Sequence, residues 1–357
     1  MAAALRVGIL NDTAAGPPGV TDIEHWLRLA VRESFEAGRL DRGVEFVHGW
    51  GLGLPSGTAA AVERGFASLV EQDVLLIVGP AIGDNALVAT PLAERHRLPT
   101  INWAGAERAR GEFMFHLQVG SHEDEPIVIA RHLLAIGCRR IGVIYDRSVI
   151  GRRYLSFLQA EAELLGLKIA ATEAIGPLAE HAETEIESVL DARIDGLVYL
   201  GLGVAVTAVA RAIAARDSNL SRAMNTAGIR GYHAGFASAI EGWAYVDMHA
   251  DDNRTLADLR ARLGLSTHQS LAAAKGYDLG RLVVEGLARA PELTREGVKH
   301  GLEQVKWLAA AEGYEGTLLG FGLHDRGALH GRYLVMREWR DGQSIEVSQA
   351  FQGQRQI

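Results

Sequence analysis

The sequence predicts an α/β protein made of two doubly wound units with parallel sheets, and three observations predict it. Wholly apolar runs such as Val74–Val78 alternate with stretches whose apolar residues recur at helical spacing, as a parallel sheet covered on both faces requires. The rhythm breaks at Gly120–Glu125 and then restarts as a second series. The length, 357 residues, is large for one core and comfortable for two domains of about 150 residues each.

The first series places strands at Leu5–Leu10, Val44–His48, Val74–Val78 and Pro99–Asn102. Between them fall helices at Thr21–Ala37, with Thr21 as N-cap, at Thr58–Glu71, and up to Arg95 with Asp84 or Asn85 as cap. The second series predicts helices at Pro126–Ile136, Ile150–Leu165, Glu183–Ala192 and Val204–Arg216. Its strands are Arg140–Tyr145, Lys168–Ala174, Gly196–Leu200 and Arg222–Asn225. From Asp252 the pattern turns helical (Asp252–Leu263, Thr267–Ala290, Thr294–Val305), and Asp341-Gly342 joins two closing strands, Tyr333–Arg340 and Ser344–Phe351, as a hairpin. No low-complexity linker separates the units, so they are expected to exchange chain segments.

Composition excludes several functions. Net charge is −8, from 36 basic and 44 acidic residues, and no basic run is dense enough to follow a phosphate backbone, so nucleic acid is excluded as the main partner. No apolar run approaches the ~18 residues that a membrane span needs. The single Cys138 makes no internal disulfide and reads as a small buried residue before a strand. Neither a dinucleotide fingerprint nor a P-loop nor a GxSxG elbow is present, and no His pair has the HxxxH or HExxH spacing. No cofactor, metal or catalytic residue is therefore assigned. The acid run Glu123-Asp124-Glu125 reads as charge at a helix N-terminus, and Glu161, Glu163, Glu183, Glu185 and Glu187 read as solvated helix faces.

Ligands of open parallel sheets bind outside the carboxyl ends of the strands, so the turns there carry the candidate site. After the third strand, backbone N–H groups near Ile82, Gly83, Asp84 and Asn85 can hold an acceptor. After the fourth come Asn102, Trp103, Ala104 and Ala106, and after the second comes Trp50 beside Leu52 and Leu54. Trp50 and Trp103 either face a ligand or pack on neighbouring helices. The second series offers the turns around Ile150, Leu202, Arg230 and Tyr232, where Arg230 either pairs with a ligand carboxylate or sits in solvent.

Taken in order, several segments resemble the type I periplasmic binding proteins of the branched-chain amino-acid (Leu/Ile/Val) class, the substrate-binding components of ABC importers. They are Val78-Gly-Pro with Pro91-Leu-Ala-Glu, Leu98-Pro-Thr-Ile-Asn, Arg140-Ile-Gly-Val-Ile-Tyr-Asp-Arg-Ser-Val-Ile-Gly-Arg, Ala239-Ile-Glu-Gly, Ala274-Lys-Gly-Tyr277-Asp278 and the hairpin at Asp341-Gly. The chain is also similar to the related amide-sensing receptor of bacteria. The resemblance implies two lobes joined by three crossovers, residues 1–119 plus 250–326 and residues 120–249 plus 327–357, closing over a ligand like a hinged clam. It also implies a permease partner and a periplasmic or cell-surface location. The start of the chain leaves no room for a secretory signal, so either a signal was removed and replaced by a new start or the protein stays in the cytosol, and a cytoplasmic sensor stays open as the alternative.

Members that bind α-amino acids carry a hydroxyl residue where this chain has Gly83, a Thr where it has Ala106 and a Tyr where it has Ile150. An aromatic near Leu202 and an ammonium-pairing acid around residues 227–229 are also missing. Buried charge must be paired, so the resemblance with these departures implies a largely apolar or aromatic ligand, with or without one carboxylate, in place of a standard amino acid.

Overall fold

The computed structural model describes residues 3–12, 22–50, 52, 58–216, 219–233 and 235–347. The expected cap Thr21, the loop residue Leu54 and the end of the last expected strand lie outside the described residues.

The chain opens with β1 (Leu5–Leu10), α1 (Ile23–Glu36), β2 (Val44–Gly49), α2 (Ala59–Glu71), β3 (Leu76–Val78), α3 (Gly83–His96), β4 (Thr100–Asn102) and β5 (Met114–His116). These strands form one sheet in the order β2-β1-β3-β4-β5, with every pair parallel. Val7, Leu76, Ile77 and Ile101 are buried, as strands covered on both faces demand. The Thr58 hydroxyl accepts the Ala61 N–H at 3.1 Å to start α2, and Val62, Phe66 and Leu69 then fall on one buried face.

The second series runs α4 (Glu125–Ala135), β6 (Arg140–Asp146), α5 (Val149–Leu165), β7 (Lys168–Ile175), α6 (Glu183–Asp191), β8 (Gly196–Leu200), α7 (Val206–Ala214) and β9 (Ser221–Met224). Two 3-10 turns, Thr226–Tyr232 and Ala237–Ile240, lead to β10 (Ala244–Asp247). Helices α8 (Arg254–Leu263), α9 (Thr267–Ala288) and α10 (Arg295–Glu303) precede the short strands β11 (Leu308–Ala309), β12 (Leu318–Leu319) and β13 (Leu329–His330). The hairpin β14 (Val335–Arg340) and β15 (Gln343–Glu346) completes a second sheet, β15-β14-β10-β9-β8-β6-β7, parallel from β10 to β7 and antiparallel at the hairpin.

The chain divides into two compact units, one running to Val119 and again through Asp252–Tyr333, the other through Gly120–Asp251 and again from Leu334. It therefore passes from unit to unit three times. Two of the boundaries differ from the expected ones. Residues 327–333, expected in the second unit, belong to the first, because β13 pairs with β12 in an antiparallel three-stranded sheet there. Residues 250–251 stay with the second unit, where Arg337 on β14 donates to the His249 carbonyl at 2.9 Å and pairs with Asp251 at 2.8 Å. Strands β5 and β10 and the small sheet are additions to the expected elements.

Gly79, just past β3, holds φ at 103°, and a Cβ there would lie 2.2 Å from the Leu10 carbonyl oxygen. Only glycine lets these two backbones approach so closely. Gly38 has a similar φ, 74°, but nothing within 4 Å of a Cβ. Gly79→Ala is expected to cost about 3 kcal/mol or more in urea unfolding, against about 1 kcal/mol for Gly38→Ala. Equal losses would contradict the close approach.

Candidate functional site

In the first unit the turn after β3 is built around a residue outside the expected set. The buried Asp12 carboxylate, just past β1, accepts the Ala81 N–H at 2.8 Å, the Ile82 N–H at 2.9 Å and the Asn85 side-chain amide at 2.9 Å. Helix α3 starts at Gly83 with Ile82 as its N-cap, so neither Asp84 nor Asn85 caps it. Burial pushes the Asp12 carboxyl above the usual carboxylate range, and its hydrogen bonds oppose that shift. A ligand carboxylate at the start of α3 would sit beside this acid, which disfavours the anion site expected near Gly83–Asn85.

The turn after β4 is also occupied from within. Asn102 donates to the Ala109 and Phe115 carbonyls at 2.8 and 2.9 Å, and its own oxygen accepts the Ala104 N–H at 3.3 Å. Arg110 Nε donates to His116 Nδ1 at 3.0 Å, which leaves the proton on His116 Nε2, aimed at the Ala104 carbonyl. Ala104 and Ala106 pack with Ala86 and Ala109 in a small alanine cluster. Trp103 is 6% exposed and belongs to the main core of the unit, and its indole N–H has no hydrogen-bond partner among the described residues. Trp50 is 37% exposed and stacks on His48, ring centres 4.6 Å apart and 5° from parallel.

In the second unit a polar network ties together the turns at the strand ends. Asp146, the last residue of β6, accepts the Tyr199 hydroxyl at 2.6 Å and the Leu202 N–H at 2.8 Å. Gly201 lies against that acid so closely that a Cβ would fall 2.2 Å from its carboxyl carbon. Asn225 bridges to Gly201, accepting its N–H at 3.1 Å and donating to its carbonyl at 2.9 Å. Arg230 Nε donates to the Leu202 carbonyl at 2.8 Å, so two of the expected residues are joined directly. The Arg230 guanidinium is half-buried and makes no other hydrogen bond to a described residue. Burial lowers its pKa, against the pull of Tyr199 and Asp146. Ile150 is buried in the first turn of α5, next to the cap formed by Ser148 on the Gly151 N–H at 3.0 Å.

Other residues stand differently from expectation. Residues 226–232 form a 3-10 turn, so Arg230 sits in ordered structure. Tyr232 lies inside the unit, its hydroxyl donating to Asp247 at 2.8 Å and its ring 5.2 Å from Trp339 in an edge contact. Glu161 is buried beside Arg131, 3.4 Å away, and is no solvated face.

The largest departure is Glu125. It is 0% exposed and is no dipole-facing surface charge. Its Oε1 accepts the Ser121 N–H at 2.8 Å, the Tyr154 hydroxyl at 2.7 Å and the Thr226 hydroxyl at 3.3 Å, and its Oε2 accepts the Thr226 N–H at 2.6 Å. Burial pushes its pKa up to about 7 against these hydrogen bonds. The neighbouring His122, packed edge-on against the Tyr154 ring at 4.6 Å, is held neutral, with burial and Arg153 lowering its pKa to about 3. Nothing in the local sequence marks Glu125, because Tyr154 and Thr226 are 29 and 101 residues away.

With this geometry in place, the comparisons with known proteins are direct. A sequence profile described as periplasmic binding protein matches residues 6–342. The chain belongs to that family. Comparison with curated protein sequences finds no match. Among solved structures, the type 1 periplasmic binding protein of Bordetella pertussis superposes with a TM-score of 0.80 at 15% identity, covering 97% of this chain and 100% of that one. The leucine-binding protein of Thermotoga maritima gives 0.78 at 13%, covering 97% and 98%. A solute-binding protein of an ABC transporter from Rhodopseudomonas palustris, in complex with 4-hydroxybenzoate, gives 0.77 at 14%, covering 97% and 96%. The fold is the two-lobed α/β architecture of this family. As a periplasmic binding protein it is not an enzyme, and its partner is a small-molecule solute. Among the described residues no helix is long and apolar enough to cross a membrane.

The raised pKa of Glu125 fixes the sign of a pH effect. The folded state holds this proton more tightly than the unfolded chain, so the contribution is complete below about pH 4.5 and is lost as pH rises through about 7. In urea unfolding, the stability gap between the wild type and Glu125→Gln is expected to be wider at pH 5 than at pH 8, by up to about 3 kcal/mol. A gap that is constant or wider at pH 8 would contradict the assignment.

Proposed function

We propose that the solute is a small, largely apolar or aromatic molecule carrying one carboxylate, and that Arg230 receives that carboxylate. The observation that carries this reading is the Arg230 guanidinium: half-buried, anchored through Nε to Leu202, and otherwise without a hydrogen bond to a described residue. Arginine suits a carboxylate because its planar fork donates two parallel hydrogen bonds. A zwitterionic amino acid would also need an acid for its ammonium group. Asp146 and Glu125, the buried acids at these turns, already have both oxygens engaged. In the first unit the Trp103 indole N–H has no partner among the described residues, the Asn85 amide nitrogen is spent on Asp12, and Asn102 is spent on its own turn. The 4-hydroxybenzoate held by the Rhodopseudomonas palustris protein is an aromatic monocarboxylate and supports the same ligand class for this fold.

Titration calorimetry tests the reading. The protein is expected to bind 4-hydroxybenzoate more tightly than leucine or valine. Arg230→Gln should weaken 4-hydroxybenzoate binding by about 10- to 100-fold, the range for losing a charged hydrogen-bond donor. Tight binding of leucine, or an Arg230→Gln protein with unchanged affinity, would overturn it.

A further inference from the structure

We propose that Glu125 is a positioning residue for ligand recognition, acting through Thr226 to fix the turn that presents Arg230. The inference rests on the reading that Arg230 grips the ligand, and it adds a residue that touches no ligand itself. Glu125 begins α4, five residues after the chain enters the second unit at Gly120, and it reaches the first residue of the 3-10 turn Thr226–Tyr232. Its two oxygens face two different backbone donors: Oε1 takes the Ser121 N–H and Oε2 the Thr226 N–H. A carboxyl group satisfies this arrangement whether or not it is protonated, because both of its oxygens keep an acceptor lone pair and the Tyr154 and Thr226 hydroxyls can reverse their polarity. An amide cannot. Its NH2 group would face one of the two N–H groups, leaving a buried donor unpaired. Gly120 leaves room for this carboxyl, since a Cβ there would lie 2.1 Å from Oε1. From Thr226 the constraint passes to Arg230 along the 3-10 turn, and Asn225 and the Arg230–Leu202 hydrogen bond tie that turn to the Gly201–Leu202 turn.

The test combines hydrogen–deuterium exchange with calorimetry on the full chain, using 4-hydroxybenzoate as the probe. In Glu125→Gln, the amides of residues 226–232 are expected to exchange about tenfold faster while the β6–β8 core keeps its protection. Glu125→Asp, which retains two acceptor oxygens, should restore part of that protection, and it replaces the Gln variant if that one does not fold. Probe affinity should fall about tenfold in Glu125→Gln and should fall no further when the same change is made in an Arg230→Gln background. Unchanged exchange at 226–232, faster exchange spread over the whole unit, or the same affinity loss in both backgrounds would overturn the proposal. If the wild type does not bind the probe, the aromatic-carboxylate reading fails, and the exchange pattern alone decides the role of Glu125.

Discussion

At the carboxyl ends of parallel strands the backbone runs out of ladder partners, and its exposed N–H groups must be satisfied some other way. In both units a buried carboxylate meets that need. Asp12 holds the Ala81 and Ile82 N–H groups at the entry to α3. In the second unit Asp146 holds the Leu202 N–H, and Glu125 holds those of Ser121 and Thr226. Each acid accepts only from donors, which offsets part of the cost of taking a carboxyl out of water, and burial still pushes the pKa of all three upward.

This constraint decides what the turns have left for a solute. Acids whose oxygens are filled from within cannot pair with an ammonium group, and an anion placed beside Asp12 would be repelled. The Arg230 guanidinium is the exception, since among the described residues only its Nε is held by a hydrogen bond. Leu202 and Ile150 surround the same strand ends with apolar side chains. These features support the proposed solute, with one negative end and an apolar body, whose burial would contribute about 25 cal/mol per Å² of apolar area.

The fold was largely legible because its cues are local. Runs such as Val74–Val78 and Gly196–Leu200 are apolar over their whole length, and the period-3.6 pattern of Val62, Phe66 and Leu69 needs no distant partner to be read. Strand β10 was missed because Ala244–Asp247 is four residues long and ends in an acid that is justified by Tyr232 and Met248, neither of which the strand itself contains. Among the acidic residues Glu125 was misread and Asp12 went unnoticed for the same reason. Glu125 in an acid run looks like helix-terminal charge, and Asp12 looks like an ordinary loop acid, until partners 101 and 70 residues away are brought to them. Local patterning carries secondary structure, whereas the chemistry at the strand ends depends on contacts between segments that no spacing rule connects.

The central claim is that the solute is recognised by its negative charge at Arg230, with the rest of the contact apolar. Comparing 4-hydroxybenzoate with 4-hydroxybenzamide on the wild-type protein by calorimetry tests this most directly, because the two differ only in the charge and acceptor pattern of one group. The account predicts that the carboxylate binds at least about tenfold more tightly than the amide. Equal affinity, or preference for the amide, would contradict it.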